Sequence, residues 1–226
     1  MNKNINKKRK KMNKTIITII RVLFLLLFVF LMIVGKPLVW LGIYAVSLLL
    51  APFFGRIYCG YICPMNTIMI PVEKLSKKLN LQTPNIPKFL KNGWLTWVAL
   101  ILSLVFMVLG KKLFSLNIPI LPIWAAVAVL VTLRYKPEVF HNLICPFGAL
   151  QKVFARIPLL GRRINKECIG CGLCAKVCPS QAITIDKETH MAVIDSKLCH
   201  QCTNCKDVCP KSAIDYGKKK VERTES

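Results

Sequence analysis

Residues 165–183 read NKECIGCGLCAKVCPSQAI, and residues 195–214 read DSKLCHQCTNCKDVCPKSAI. One pattern is written twice: Cys168-x2-Cys171-x2-Cys174-x3-Cys178-Pro179, then, 31 residues on, Cys199-x2-Cys202-x2-Cys205-x3-Cys209-Pro210. Short fixed spacings of this kind belong to metal ligands, and an odd total of 11 cysteines speaks against a secreted disulfide framework. Two structural zinc sites are the competing reading, because Cys-x2-Cys pairs also suit tetrahedral zinc. Eight cysteines in two identical four-fold runs, each closed by proline, weigh against it.

The run is the one found in bacterial ferredoxins, which bind [4Fe-4S] cubes. Three thiolates spaced two residues apart can wrap three corners of a cube, while the fourth points away and closes the other one. Ligation is therefore expected to cross over. Cys168, Cys171, Cys174 and Cys209 would hold one cluster, and Cys199, Cys202, Cys205 and Cys178 the second. Gly170 and Gly172 would let the backbone approach the sulfides. Ile183–Ile185 and Ala192–Ile194 read as short strands around a polar turn at 186–189. The spacing thus predicts a small α+β two-cluster ferredoxin-like domain over residues 165–216, followed by a polar tail, 217–226. Thiolate ligands need a reducing compartment, which points to the cytoplasm.

The rest of the chain has a different composition. Over 226 residues, 33 Lys+Arg face 10 Asp+Glu for a formal charge of +23, yet 54% of residues are hydrophobic and mean hydropathy is +0.48. Basic soluble proteins are usually hydrophilic, whereas membrane proteins keep charge in their loops. No basic helix or aromatic-basic surface pattern supports a nucleic-acid partner. Thr15 to Val34 is apolar apart from Arg21, long enough to cross a hydrocarbon core of about 30 Å at 1.5 Å per residue. A basic arm, residues 1–14, precedes it. A signal peptide would also begin this way, but the apolar run is too long and no A-x-A site follows. Further spans are expected at Pro37 to Phe54, Trp94 to Gly110 and Leu116 to Leu133, giving a four-helix membrane domain over residues 15–164.

With the N-terminus inside, only Lys36, Lys111 and Lys112 fall in the outer turns, while the basic arm, Lys74 to Lys91 and Arg134 to Arg163 all lie inside. The expected location is the plasma (bacterial inner) membrane, multi-pass, with both termini and the ferredoxin part cytoplasmic. The basic excess then contacts anionic lipid. After Cys145, the apolar positions Leu150, Val153, Phe154 and Ile157 share one helical face, as in a helix lying along the membrane surface.

Three cysteines remain. Cys59-Gly60-Tyr61-Ile62-Cys63-Pro64 follows the second span, and Cys145-Pro146 follows the fourth. Aligning RIYCGYICPMN with EVFHNLICPFG matches Cys145 to Cys63 and His141 to Cys59, so the membrane domain reads as a two-fold repeat of helix pairs, each ending in a hook. In each hook, Cys at the cap and Pro at the first helical position begin a new helix. Cys59, Cys63, His141 and Cys145 count to four and are candidates for an additional iron-sulfur or other metal centre. Helix-terminal thiols that pack or accept a lipid are the competing reading. Tyr58, Tyr61, Trp94 and Trp97 read as interface anchors, and His190 and His200 as exposed loop residues of the ferredoxin part.

With four spans, Cys-Pro hooks on the inner face and a tandem ferredoxin tail, the chain resembles the polyferredoxin-type membrane proteins of the NapH/MauN group, also seen in the C-terminal part of NosR-like and CcoG-like proteins. The resemblance covers roughly residues 15 to 215. It implies electron transfer between a membrane donor, often quinol, and a partner redox enzyme or reductase complex. A quinone or flavoprotein is a further candidate partner, since Tyr58, Tyr61, Trp94 and Trp97 could serve a quinone or flavin pocket. The chain departs from that pattern in its second hook, which reads His141-x3-Cys145-Pro146 where the group has a second Cys-x3-Cys-Pro. An assembly or metal-delivery subunit of a membrane-associated reductase is the alternative role. Four cysteines on each cube leave no open iron, so no catalytic residue is expected there.

Overall fold

The computed structural model describes residues 2–83, 85, 87, 90, 93–113 and 120–218. In chain order it has α1 (Asn2–Ile33), α2 (Pro37–Phe54), a π-turn (Tyr58–Ile62), α3 (Pro64–Lys78), α4 (Trp94–Leu113) and α5 (Ile120–Arg134). A single helical turn (Pro137–Val139) leads into a second π-turn (Phe140–Ile144) and then α6 (Pro146–Phe154). The tail holds β1 (Leu160–Ile164), α7 (Leu173–Lys176), β2 (Ile183–Ile185), β3 (Ala192–Ile194), α8 (Asn204–Val208) and β4 (Ile214–Lys218). Two compact units emerge, interleaved in sequence: Met1–Lys14, Ala45–Gly60 and Gln151–Ser226 form one, Thr15–Tyr44 and Tyr61–Leu150 the other.

Two helices are long and apolar enough to cross a membrane, Lys14–Ile33 with hydropathy 3.1 and Pro37–Phe54 with 1.9. Their outward faces leave Leu23, Leu26, Phe30, Ile33, Leu38 and Leu49 bare, an apolar surface that water would not tolerate but lipid would. Trp94–Leu109 and Ile120–Arg134 are shorter apolar helices. The fourth expected span begins at Leu116, and residues 116–119 lie outside the described residues.

In the second unit, Phe28, Leu31, Trp40 and Leu121 form a buried cluster. Phe28 meets Trp40 edge to face at 5.1 Å, an arrangement that adds about 1 kcal/mol beyond its buried area. Helix α3 packs on α5, and Ser76 Oγ donates to the Leu133 carbonyl at 2.6 Å. The Cys63-Pro64 hook predicts the start of this helix but not its run to Lys78. A helix with Pro64 at its start and Pro71 inside, polar on one face, has little of the apolar density that marked the spans. Tyr58 is buried, so it is not a lipid-facing anchor, whereas Trp94 and Trp97 are exposed. On α6 and just after it Val153, Phe154 and Ile157 are bare, as an interfacial helix requires.

In the tail, β1 pairs antiparallel with β4 and β2 with β3. Each strand that leads into a cysteine run is thus paired with the strand that leaves the other run. Ile183, Ala192 and Ile214 pack with Cys174 and Cys205 in a small shared core. The β1–β4 pair reaches from Leu160 to Lys218, beyond both ends of the cysteine-rich stretch.

Candidate iron-sulfur site

The crossed strands decide which sulfurs meet. Cys168, Cys171 and Cys174 line one cavity together with Cys209, which comes from the far run. Its space is about 370 Å³, counting the solvent at its mouth, and Ile164, Ile185 and Ile214 wall it. Cys178 in turn is an electrostatic neighbour of Cys199 and Cys205, as is Cys202. The structure therefore groups the eight sulfurs as three from one run and one from the other, twice.

The donor set fits a cube better than a single ion. A tetrahedral zinc site with Zn–S bonds of about 2.3 Å draws its sulfurs to within about 4 Å of one another. Among the described residues no three Cys, His, Asp or Glu side chains converge at single-ion spacing. Four sulfurs around an apolar cavity, with no carboxylate or imidazole lining it, suit a soft, bulky iron-sulfur group.

Backbone amides address three of the sulfurs. Ala182 donates to Cys178 Sγ at 3.3 Å and Ala213 to Cys209 Sγ at 3.3 Å, the same bond in the two repeats. Ala192, from β3, donates to Cys168 Sγ at 3.4 Å. Such bonds stabilise negative charge on sulfur. Gly170, at φ 64°, is held so close to His190 that a Cβ there would collide with the His190 carbonyl oxygen, so the first run needs glycine at this turn.

The two groups differ in exposure. Cys171 of the first is exposed, while Cys199, Cys202 and Cys205 of the second are all buried. Burial pushes the Cys199 and Cys205 thiols up to about 12, with the neighbouring thiols adding to the shift and Arg162 opposing it. Burial likewise raises Cys174, helped by Cys168 and Cys171. Burial in these pockets disfavours bare thiolate.

Two further features of this second group were not read from the sequence. Arg162 on β1 is buried, its backbone amide bonded to Gln201 Oε1 at 3.1 Å and its guanidinium 5.4 Å from the Tyr216 ring. His200, expected on the surface, is 1% exposed, because the start of the second run, Cys199 to Cys202, is packed inward. The repeat itself held the signal for Arg162: a strand before the second run implies one before the first.

At the hooks, Cys63 and Cys145 have almost the same backbone, φ −61°, ψ 118° and φ −63°, ψ 115°. Each follows a π-turn, and each accepts an amide four residues on at 3.3 Å, from Thr67 and Ala149. Gly148 N–H also donates to Cys145 Sγ at 3.4 Å. Cys63, His141 and Cys145, all in the second unit, are buried. Cys59, in the first unit, is buried as well, and Arg56 Nη2 donates to its sulfur at 3.6 Å.

The tail and hooks define an iron-sulfur protein of ferredoxin type, and the chain belongs to the NapH/MauN/NosR-like family of 4Fe-4S proteins. A 4Fe-4S dicluster domain matches residues 167–213, and a 4Fe-4S binding domain matches residues 36–82 and 117–167, around the two hooks. The protein MJ0750 of Methanocaldococcus jannaschii is 30% identical over 68% of this chain and 68% of its own. The methylamine utilization ferredoxin-type protein MauN of Methylobacillus flagellatus is 30% identical over 56% of this chain and 49% of its own. YccM of Escherichia coli, whose name assigns it to electron transport, is 24% identical over 64% of this chain and 46% of its own. The chain spans roughly half to two thirds of the length of these relatives, and no solved structure matches it.

Proposed function

We propose that the protein is a membrane-anchored electron carrier linking a cytoplasmic or membrane donor, quinol among the candidates, to a partner redox enzyme. The observation that carries this reading is the meeting of Cys209 with Cys168, Cys171 and Cys174 around one cavity. In this reading those four sulfurs bind one [4Fe-4S] cluster, and Cys178, Cys199, Cys202 and Cys205 bind the other. Bound cubes supply one-electron transfer without bond-making in a substrate. The chain's own residues hold them, keep water from the second through burial, and stabilise sulfur charge through the amides of Ala182, Ala192 and Ala213. The names borne by MauN and YccM support the same role.

The bare apolar faces of α1 and α2 support anchoring in lipid. Within this reading the chain crosses four times, with both termini and the tail in the cytoplasm, and the tether replaces diffusion by a high local concentration. The matched π-turns and Cys-Pro caps support a two-fold helix-pair repeat. Cys59, Cys63, His141 and Cys145 are proposed to hold a third iron-sulfur or metal centre.

Anaerobic purification with iron and sulfide analysis tests the reading. Eight irons with matching sulfide are expected from the tail, and more than eight if the hooks are loaded. A colourless, zinc-loaded protein would overturn the carrier role. Iron fixed at eight and unchanged in Cys63→Ser would remove the third centre alone.

A further inference from the structure

Arg56 is the one fully buried arginine among the described residues, at 0% exposure. It lies between α2 and the first hook, in the same unit as the tail. Nη2 donates to Cys59 Sγ at 3.6 Å and Nη1 to the Lys197 carbonyl at 3.3 Å, while its Nε has no partner among the described residues. No carboxylate there lies within salt-bridge distance of it. A guanidinium stays protonated at any ordinary pH, and burying it without a counter-charge costs several kcal/mol. Its surroundings must therefore be negative when the protein is assembled.

Two candidates adjoin it, the hook sulfur and the second cysteine run. Lys197 sits two positions before Cys199, and the backbone comes close again a few residues on. A Cβ on Gly60 would collide with the His200 carbonyl oxygen, and the Cys202 amide is 3.7 Å from the same point. Gly60 of the hook is thus in direct backbone contact with His200 of the run, and Arg56 bonds the hook sulfur of Cys59 and the Lys197 carbonyl just before the run. The first run is the more open of the two, with Cys171 exposed, and among the described residues no buried arginine is bonded beside it.

Resting on the two-cluster reading above, we propose that Arg56 is a positioning residue that compensates charge at the second cluster and at Cys59 together, so that the second cluster, not the first, is electrostatically joined to the membrane hook. Reduction adds one negative charge to a cube, and a buried cation favours that state.

The test is an EPR-monitored redox titration of the full-length protein in detergent, with the second signal assigned as the one lost in Cys202→Ser. Arg56→Met should lower the reduced-to-oxidised ratio of the second cluster at fixed poise at least tenfold, a shift of 59 mV for one electron, and leave the first cluster's midpoint in place. Arg56→Lys, which keeps the charge, should restore most of the difference. Should Arg56→Met not hold eight irons, Arg56→Gln, uncharged but still hydrogen-bonding, decides with the same expected shift. An unmoved second midpoint, two midpoints moving together, or a lysine variant as displaced as methionine would overturn the assignment. Absence of both signals in the unmodified protein would instead sink the two-cluster reading.

Discussion

Ala192 donates its backbone N–H to the sulfur of Cys168, 24 residues earlier, at 3.4 Å. Strand β3 introduces the second cysteine run, so an amide that belongs to one repeat serves a sulfur of the other. Together with Cys209 lining the first cavity, this bond means that the first site draws on residues of both repeats.

Serine substitutions should sort by cavity and not by run. Cys209→Ser is expected to give the phenotype of Cys171→Ser, with loss of about four irons and of the same EPR signal. Cys178→Ser should instead resemble Cys202→Ser. Grouping of Cys209 with Cys202 would refute the crossed arrangement.

Gly170→Ala should impair the first site selectively. The residue would need φ near 64° and would meet the His190 carbonyl, a strain of about 1–3 kcal/mol. A lowered melting temperature with diminished iron, the second signal persisting, is the expected result. Unchanged stability would show that the turn can shift.

Removing the iron should expose a pH dependence. Cys199 and Cys205 are raised from 9.0 to about 12 by burial first and neighbouring thiols second. Between those values the unfolded chain has lost protons that the folded one keeps, so folded stability is full below pH 9 and declines as pH climbs toward 12. Thermal melts of the iron-free protein at pH 8, 9 and 10 should show a progressive fall. Iron-loaded protein, whose sulfurs already carry their charge on iron, should show much less. A flat profile for the stripped protein would contradict the buried placement of these thiols.

Lipid anchoring predicts retention in the membrane pellet after alkaline carbonate extraction. A C-terminal tag should be digested by protease in inverted vesicles and protected in right-side-out spheroplasts. Digestion in the spheroplasts would reverse the orientation deduced from the lysines.

The cysteine spacing sufficed to read the tail, because a cube imposes its geometry on sequence distance. Strands β2 and β3 were legible for the same reason, bounded by the two runs. Strand β1 was not: Leu160–Ile164 carries two arginines and lies outside the run, and only its pairing with β4 brings Arg162 inward. The first two apolar helices followed from length alone, and the start of α3 from Cys63-Pro64, whereas its extent was masked by Pro71 and by its low apolar density. Arg56 could not have been singled out, since burial of a lone arginine is decided by contacts with Lys197, more than a hundred residues away in the chain.

The pairing of β1 with β4 has a consequence for biosynthesis. The tail's outer sheet joins its earliest strand to its last, so it cannot close while Ile214–Lys218 is still on the ribosome. A nonsense codon even a few positions upstream of Ile214 would leave that sheet open and the core that Ile214 shares with Cys174 and Cys205 unsealed.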